Sequence, residues 1–233
     1  VGIARQFLAD GEWITKMIEN RLEDIRPCIC CHNACFNMTH YKGVANDQDL
    51  YDTMHISRCA LDPQVMQSTK YKITPAKKIK NIAVIGGGIG GMEAAIVCAK
   101  RGHKVTLYEK SDKLGGVFIA AAAPSFKEKD KELLAWYRLQ MDRSKVNIHL
   151  NTAVNSLDEI QADEYIIATG AQARVLPIPG FSSGIEAIEY LNGVKEVGET
   201  VAVIGGGLTG CEIAYDLALK GKKPIVVEMT EDL

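Results

Sequence analysis

Residues 82–95 read IAVIGGGIGGMEAA. Ile82 to Ile85 form a short apolar run that meets Gly86, and from about Gly90 to Arg101 the apolar residues take helical spacing. A second apolar run, Val105 to Glu109, follows. Strand, glycine turn, helix and strand in that order predict a βαβ unit with parallel strands. The glycines are spaced Gly86-x-Gly88-x-x-Gly91. The first permits a tight turn, the second lets the backbone approach a pyrophosphate, and the third lets helix pack closely on strand. The start of the helix offers unpaired N–H groups to phosphate. Its dipole contributes only about 0.3–1 kcal/mol, up to ~2 when partly buried, so selectivity has to come from elsewhere. Glu109, 18 residues after Gly91, is placed to accept hydrogen bonds from the ribose hydroxyls of an adenosine.

The pattern then restarts. VAVIGGGLTGCEIA (201–214) repeats the first motif, with Gly205, Gly207 and Gly210 in the same spacing and Glu228 again 18 residues on. Met229 and Thr230 follow Glu228, with no arginine there to pair with a 2′-phosphate. That favours NAD over NADP. Between the motifs, SFKEKDKELLAWYRLQMDR reads as a charged helix with Leu133, Leu134, Tyr137, Leu139 and Met141 near an apolar face. Val146 to Leu150 and Tyr165 to Ala168 read as strands, and Gly180 to Gly193 as a loop with a short helix. After the second glycine turn, Leu208 to Lys220 reads as helix and Pro224 to Glu228 as strand. The expected fold class is α/β, with Rossmann-like parallel sheets.

The 233 residues include 47% hydrophobic residues and 21 glycines, which suits a chain with a sizeable core. The formal net charge of −2 gives no case for nucleic acid or an anionic membrane as partner. Apolar runs such as Val117 to Ala123 are far too short to cross a bilayer. VGIARQFLAD has neither the basic start nor the cleavage site of a signal peptide, and Leu233 falls just after a strand that opens a nucleotide fold. The expectation is a fragment of a longer cytoplasmic protein. Near the start, Asp10 is a candidate N-cap for GEWITKMIENRL, whose Trp13, Ile14, Met17, Ile18 and Leu22 share helical spacing. Residues 25–75 carry few periodic signals but five of the seven cysteines. In such a context cysteines bind metal more often than they form disulfides. Cys28, Cys31 and Cys35 are spaced C-x2-C-x3-C and Cys59 follows in RCALDP, a pattern that suits an iron–sulfur cluster. Zinc is the competing metal, although the second C-x2-C pair of a zinc ribbon is missing. Cys98 and Cys211 read as small packed side chains within helices, and His103, His149 and His55 as residues without a functional partner. His32 and His40 near the cluster read as loop residues, with cluster ligation as the alternative.

Two dinucleotide motifs in this order resemble the pyridine-nucleotide-linked flavoprotein reductases, in which the first site holds FAD and the second NADH. Two further stretches carry the resemblance: KLGG, with Leu114, Gly115 and Gly116, and DEYIIATG, ending in Ala168, Thr169 and Gly170. Together with the motifs they span 80–233. The disulfide-reductase branch is disfavoured, because VFIAAAAP after the LGG stretch contains no cysteine.

The cysteines narrow the resemblance. RPCICCHNAC (26–35) ahead of an FAD-type glycine loop looks like the 2-enoate reductase and 2,4-dienoyl-CoA reductase group, which includes trimethylamine dehydrogenase. These are relatives of Old Yellow Enzyme in which an FMN-bearing (β/α)8 barrel precedes a [4Fe–4S] segment and a reductase module. The resemblance implies four segments: 1–24 as the barrel's end, 25–75 as the cluster segment, 76–196 as the FAD domain and 197–233 as the start of the NAD(H) domain. It implies Arg5 as a contact of the FMN phosphate and Cys28, Cys31, Cys35 and Cys59 as cluster ligands. Cys30 stands where the group often has glycine, and Val117 where many relatives have a polar residue. The stretch MTHYKGVANDQDLYD is an insertion between the third and fourth cysteines.

The implied activity is electron input, from NADH to FAD to [4Fe–4S] to FMN, for reduction of an activated C=C bond in a 2-enoate or 2,4-dienoyl-CoA. The substrate and the acid/base residues belong to the barrel, so no catalytic residue is assigned in this chain. Three alternatives stay open: an amine dehydrogenase of the same architecture with a redox-silent ADP site, a non-enzymatic nucleotide- and zinc-binding module, and a glutamate-synthase-like electron-transfer subunit. A homo-oligomeric full-length protein fits any of the enzymes.

Overall fold

The computed structural model describes residues 3–33, 35, 57–174 and 177–231. The insertion at 38–52, His40 and His55 lie outside the described residues. The chain divides into two compact units. The first runs to Phe118 and resumes over Lys129–Gly170, and the second comprises Ile119–Glu128 and the chain from Ala171 onward.

The first unit is built on four parallel strands: β1 (Asn81–Ile85), β2 (Lys104–Tyr108), β3 (Asn147–His149) and β4 (Glu164–Ile167), in the order β3-β2-β1-β4. β1 is central, paired from Ile85 to Tyr108 on one side and to Ile167 on the other. Ile82 to Ile85 are all buried, which explains a continuous apolar run rather than an alternating one. Each strand lies within a residue or two of its expected span. Helix α3 (Ile89–Lys100) buries Met92, Ala95 and Ile96, and α5 (Glu128–Arg143) buries Leu133, Leu134, Trp136, Tyr137 and Met141. A fully buried Leu, Met or Val of this kind contributes roughly 1.5–3 kcal/mol. Because the chain passes from β1 to β2 to β3 and then returns to pair β4 with the other side of β1, the carboxyl ends of β1 and β4 bound a switch point. Ligands of open α/β sheets bind at such a point.

The N-terminal segment differs from expectation. The helix expected in 11–22 is shortened to α2 (Trp13–Ile18), and another short helix, α1 (Arg5–Ala9), precedes Asp10. Asp10 does not cap α2. Its buried carboxylate accepts the N–H of Glu12 at 3.0 Å, the N–H of Arg26 at 2.8 Å and the Lys16 ammonium at 2.7 Å. It thereby pins the approach to the cysteine segment instead of starting a helix. The apolar stripe is not core either: Ile14, Met17, Ile18 and Leu22 are all exposed. Among the described residues, 25–75 contain no helix or strand.

The second unit pairs β5 (Thr200–Ile204) in parallel with β6 (Lys223–Val227), with α7 (Leu208–Leu219) packed on both. A short helix, α6 (Ala187–Leu191), precedes them; α4 (Phe118–Ala121), which the sequence did not suggest, follows the LGG stretch. Asp216 of α7 is buried and is satisfied by the Tyr190 hydroxyl and the Lys220 ammonium, both at 2.7 Å. No described helix is long and apolar enough to cross a membrane.

Candidate functional site

At the carboxyl end of β1, Gly86 turns the chain at φ 107°, a region open to glycine at little cost. Its N–H donates to Tyr108 O at 2.8 Å, and a Cβ would stand 2.3 Å from Ala168 O. Gly91 sits against the same turn: a Cβ there would meet Gly86 O at 1.9 Å. Gly88, the residue before α3, is different. Its backbone is extended, at φ −71° and ψ −178°, and a Cβ would meet nothing within 4 Å. Neither the fold nor the backbone requires glycine at 88. The open space in front of it is what a pyrophosphate would fill, so the loop fits a dinucleotide.

Glu109 follows β2 and is buried. Oε2 accepts the Gly87 N–H at 2.6 Å, while Oε1 accepts the Ser111 N–H at 2.8 Å and the Ser111 hydroxyl at 2.7 Å. Burial pushes this carboxyl up, but the donors of Ser111 and Gly87 outweigh it and hold it below the usual carboxylate range. An ionised acceptor is therefore fixed beside the glycine loop. Gly87 itself was not singled out in the sequence, yet a Cβ there would overlap Leu114 Cδ2 at 2.6 Å.

The LGG stretch closes on this loop. Gly115 N–H donates to Gly87 O at 2.8 Å, and a Cβ on Gly116 would lie 3.1 Å from Gly88 Cα. Leu114 is buried, and its carbonyl accepts two bonds from Arg138 of α5, at 3.0 and 2.6 Å. From β4, Ala168 N–H reaches Ile85 O at 2.8 Å, Thr169 N abuts Gly86, and Gly170 turns away at φ 75°. Thus Gly86, Gly88, Gly91, Glu109, Leu114, Gly115, Gly116, Ala168 and Thr169 converge on one place, and Gly170 leads the chain away from it. Val117, just beyond, is exposed.

The second unit repeats the geometry. Gly205 has φ 104°, and its N–H meets Val227 O at 2.8 Å. Gly206 N–H donates to Glu228 Oε2 at 2.6 Å. A Cβ on Gly210 would meet Gly205 O at 1.9 Å, whereas one on Gly207 would meet nothing within 4 Å. The N–H groups of Gly206, Thr230 and Met229 hold the Glu228 carboxyl down to about 2. Open space before Gly207 fits a second dinucleotide. Cys211 Sγ donates to Gly206 O at 3.1 Å, while Cys98 is a half-buried thiol in α3; neither is in a disulfide.

The cysteines form the third part. Cys28, Cys31, Cys35 and Cys59 line a single pocket in the first unit, together with Cys30, His32, Arg5 and Arg58. No Asp or Glu is among the described residues that line it. Soft sulfur donors without carboxylates fit an iron–sulfur cluster or zinc and disfavour a hard cation. Among the described residues, no three His, Cys, Asp or Glu side chains converge closely enough to hold one ion. The Cys59 sulfur lies 3.4 Å from the Leu61 N–H. Cys30 and His32 have φ 55° and 54°. A left-handed residue at 30 accounts for the glycine found there in the resembling group. Gln6 of α1, missed in the sequence, holds the approach from both sides: its amide donates to Arg26 O at 2.7 Å and accepts the Cys28 N–H at 3.0 Å. Arg5 does not join the glycine loops; its guanidinium meets the His32 ring at the pocket. His103 accepts the Lys80 N–H at 3.2 Å, and His149 stacks on Tyr108 at 5.3 Å, both structural contacts.

Arg26 ties the pocket to the dinucleotide loop's supports. Its guanidinium donates to Leu61 O, lies 4.9 Å over the Trp136 ring of α5 and is 3.9 Å from Glu93 of α3. Glu93 also accepts the Tyr137 hydroxyl at 3.0 Å, and burial followed by the Glu93 charge pushes that phenol up. Trp136 Nε1 donates to Asp24 O at 3.0 Å.

The pyridine nucleotide-disulphide oxidoreductase family matches residues 51–159 and 80–233. The chain is 38% identical to the cinnamate reductase of Clostridium sporogenes, over all of this chain and 34% of that protein. It is 34% identical to the NADH oxidase of Thermoanaerobacter brockii, over all of this chain and 36% of that protein. A solved structure of 2-naphthoyl-CoA reductase in complex with 2-naphthoyl-CoA superposes with a TM-score of 0.86 at 30% identity, covering 99% of this chain and 34% of the other. The chain thus spans about a third of the length of the proteins it matches. With two glycine loops built alike and these relatives, the chain belongs to the pyridine nucleotide-disulphide oxidoreductase family, and within it fits the group of the 2-enoate reductases and trimethylamine dehydrogenase.

Proposed function

We propose that this chain is the electron-input segment of an NADH-dependent iron–sulfur flavoprotein reductase. The observation that carries the reading is that one compact unit holds both a dinucleotide loop with its LGG and ATG neighbours and a pocket lined by four suitably spaced cysteines. When bound, the groups would supply hydride and single-electron transfer, from NADH through FAD and a [4Fe–4S] cluster to FMN, for reduction of an activated C=C bond such as that of a 2-enoate or enoyl-CoA.

The residues divide the work. Gly86, Gly88 and Gly91 let the FAD pyrophosphate approach the start of α3, and Glu109 accepts from the adenosine ribose. Leu114, Gly115 and Gly116, backed by Arg138, wall the loop, and Ala168, Thr169 and Gly170 lie on the flavin side. Gly205, Gly207, Gly210 and Glu228 do the same for NADH. Cys28, Cys31, Cys35 and Cys59 hold the cluster. Arg5 contacts the FMN phosphate, and the four segments keep the boundaries 24/25, 75/76 and 196/197. Cytoplasmic location and homo-oligomeric assembly go with this reading.

Metal, sulfide and flavin analysis of the holoenzyme tests it. The expected result is FAD with about four irons and matching labile sulfide per chain. ADP in place of FAD would point to an amine dehydrogenase, and zinc without flavin to a binding module; either overturns the proposal.

A further inference from the structure

The cysteine pocket has a second chemical feature. Two arginines, Arg5 and Arg58, line it beside the thiols, and no carboxylate does so among the described residues. Arg58 is half-buried and Arg5 exposed. A guanidinium is a cation with donors and no acceptor.

We propose that Arg5 and Arg58 set the charge of the cysteine pocket, favouring the reduced form of its cluster and so raising its reduction potential. The inference rests on the four-cysteine cluster reading. Four thiolates make an iron–sulfur cluster anionic, and reduction adds one electron with no bond made or broken. Fixed positive charges at the wall stabilise the more negative state, and net charge is one of the determinants of cluster potential. The electron comes from reduced flavin in turnover and from dithionite in the test. Arg58, with less solvent around it, has the larger effect, and Arg5 is screened more by salt.

The test is a potentiometric titration of the holoenzyme, read by the paramagnetic signal of the reduced cluster, after iron content is measured. Arg58→Gln is expected to lower the equilibrium constant for reduction about tenfold, which for one electron is a fall of about 59 mV. Arg5→Gln should fall less, and more at low salt than at high. Arg58→Lys should stay close to the parent. Unmoved potentials in both glutamine variants with iron intact would overturn the inference, and so would an equal fall in Arg58→Lys, since that marks packing rather than charge. If Arg58→Gln assembles no cluster, Arg58→Leu and Arg5→Gln decide, with FMN content measured beside the potential because Arg5 is also the proposed FMN phosphate contact. A parent enzyme without iron defeats the cluster reading itself, a result distinct from an unmoved potential.

Discussion

Replacing Gly88 and Gly91 by alanine, one at a time, separates a glycine required by the ligand from one required by the fold. At Gly88 the backbone suits alanine and the added Cβ meets nothing within 4 Å. The lower entropy of the unfolded chain favours alanine by about 0.4–1 kcal/mol. Poorer capping opposes it by up to about 1 kcal/mol. The stability of the apoprotein should therefore stay within about 1 kcal/mol of the parent. At Gly91 the Cβ would lie 1.9 Å from Gly86 O, in a turn whose Gly86 N–H is held by Tyr108 O. Alanine gains about 1 kcal/mol in helix propensity. Relieving the overlap costs about 1–3 kcal/mol or more, because backbone has to move. Thermal unfolding of the apoproteins should show Gly91→Ala melting several degrees lower and Gly88→Ala nearly unchanged, at roughly 2–4 °C per kcal/mol for a chain of this size. Quenching of FAD fluorescence should show Gly88→Ala binding at least tenfold more weakly, a loss of about 1.4 kcal/mol. Parental FAD affinity in Gly88→Ala would show that no phosphate approaches this position, and parental stability in Gly91→Ala would show that the helix does not need glycine there.

Three more perturbations follow from particular contacts. Glu228 is held at about 2 in the folded chain against an ordinary value of 4.5, so its contribution to stability is complete above pH 4.5 and disappears as the pH falls toward 2; Glu228→Gln should flatten that part of a stability-versus-pH curve followed by circular dichroism. Cys30→Gly should leave the iron content unchanged and stabilise the protein by about 1 kcal/mol, because a non-glycine left-handed residue costs roughly 1–2 kcal/mol; loss of iron would make Cys30 a ligand. Gln6→Ala strands the Cys28 N–H and the Arg26 carbonyl. Its cost should be about 1–3 kcal/mol in urea unfolding, the penalty for leaving such groups unpaired.

The sequence was most legible where the fold is local. β1, β2, β5 and β6 lie within a residue of their expected spans, because each apolar run is bounded by a glycine turn or a helix end. The repeat of the two motifs became a repeat of geometry, down to 2.6 Å contacts from Gly87 to Glu109 and from Gly206 to Glu228. What spacing could not show is that these carboxylates are already engaged by backbone N–H groups. The N-terminal segment was less legible. Its periodicity suggested one helix, but Asp10 is drawn away to the Arg26 N–H, and Asn20 stands at φ 56° just beyond α2. Trp136 was absent from the expected apolar face of α5, since its hydrogen-bond partner at Asp24 is 112 residues earlier. The cysteine spacing singled out four of the five cysteines that line the pocket, but not its arginine wall, nor the role of Gln6 and Arg26 in holding it.

The most direct test of the account is an anaerobic titration of the holoenzyme with NADH, followed by visible absorbance and by the paramagnetic signal of a reduced cluster. The account predicts that NADH bleaches the FAD bands and generates the cluster signal, and that Cys59→Ser abolishes the second response while leaving the first. A flavin that NADH does not reduce, or a parent enzyme that gives no cluster signal after full flavin reduction, would contradict it.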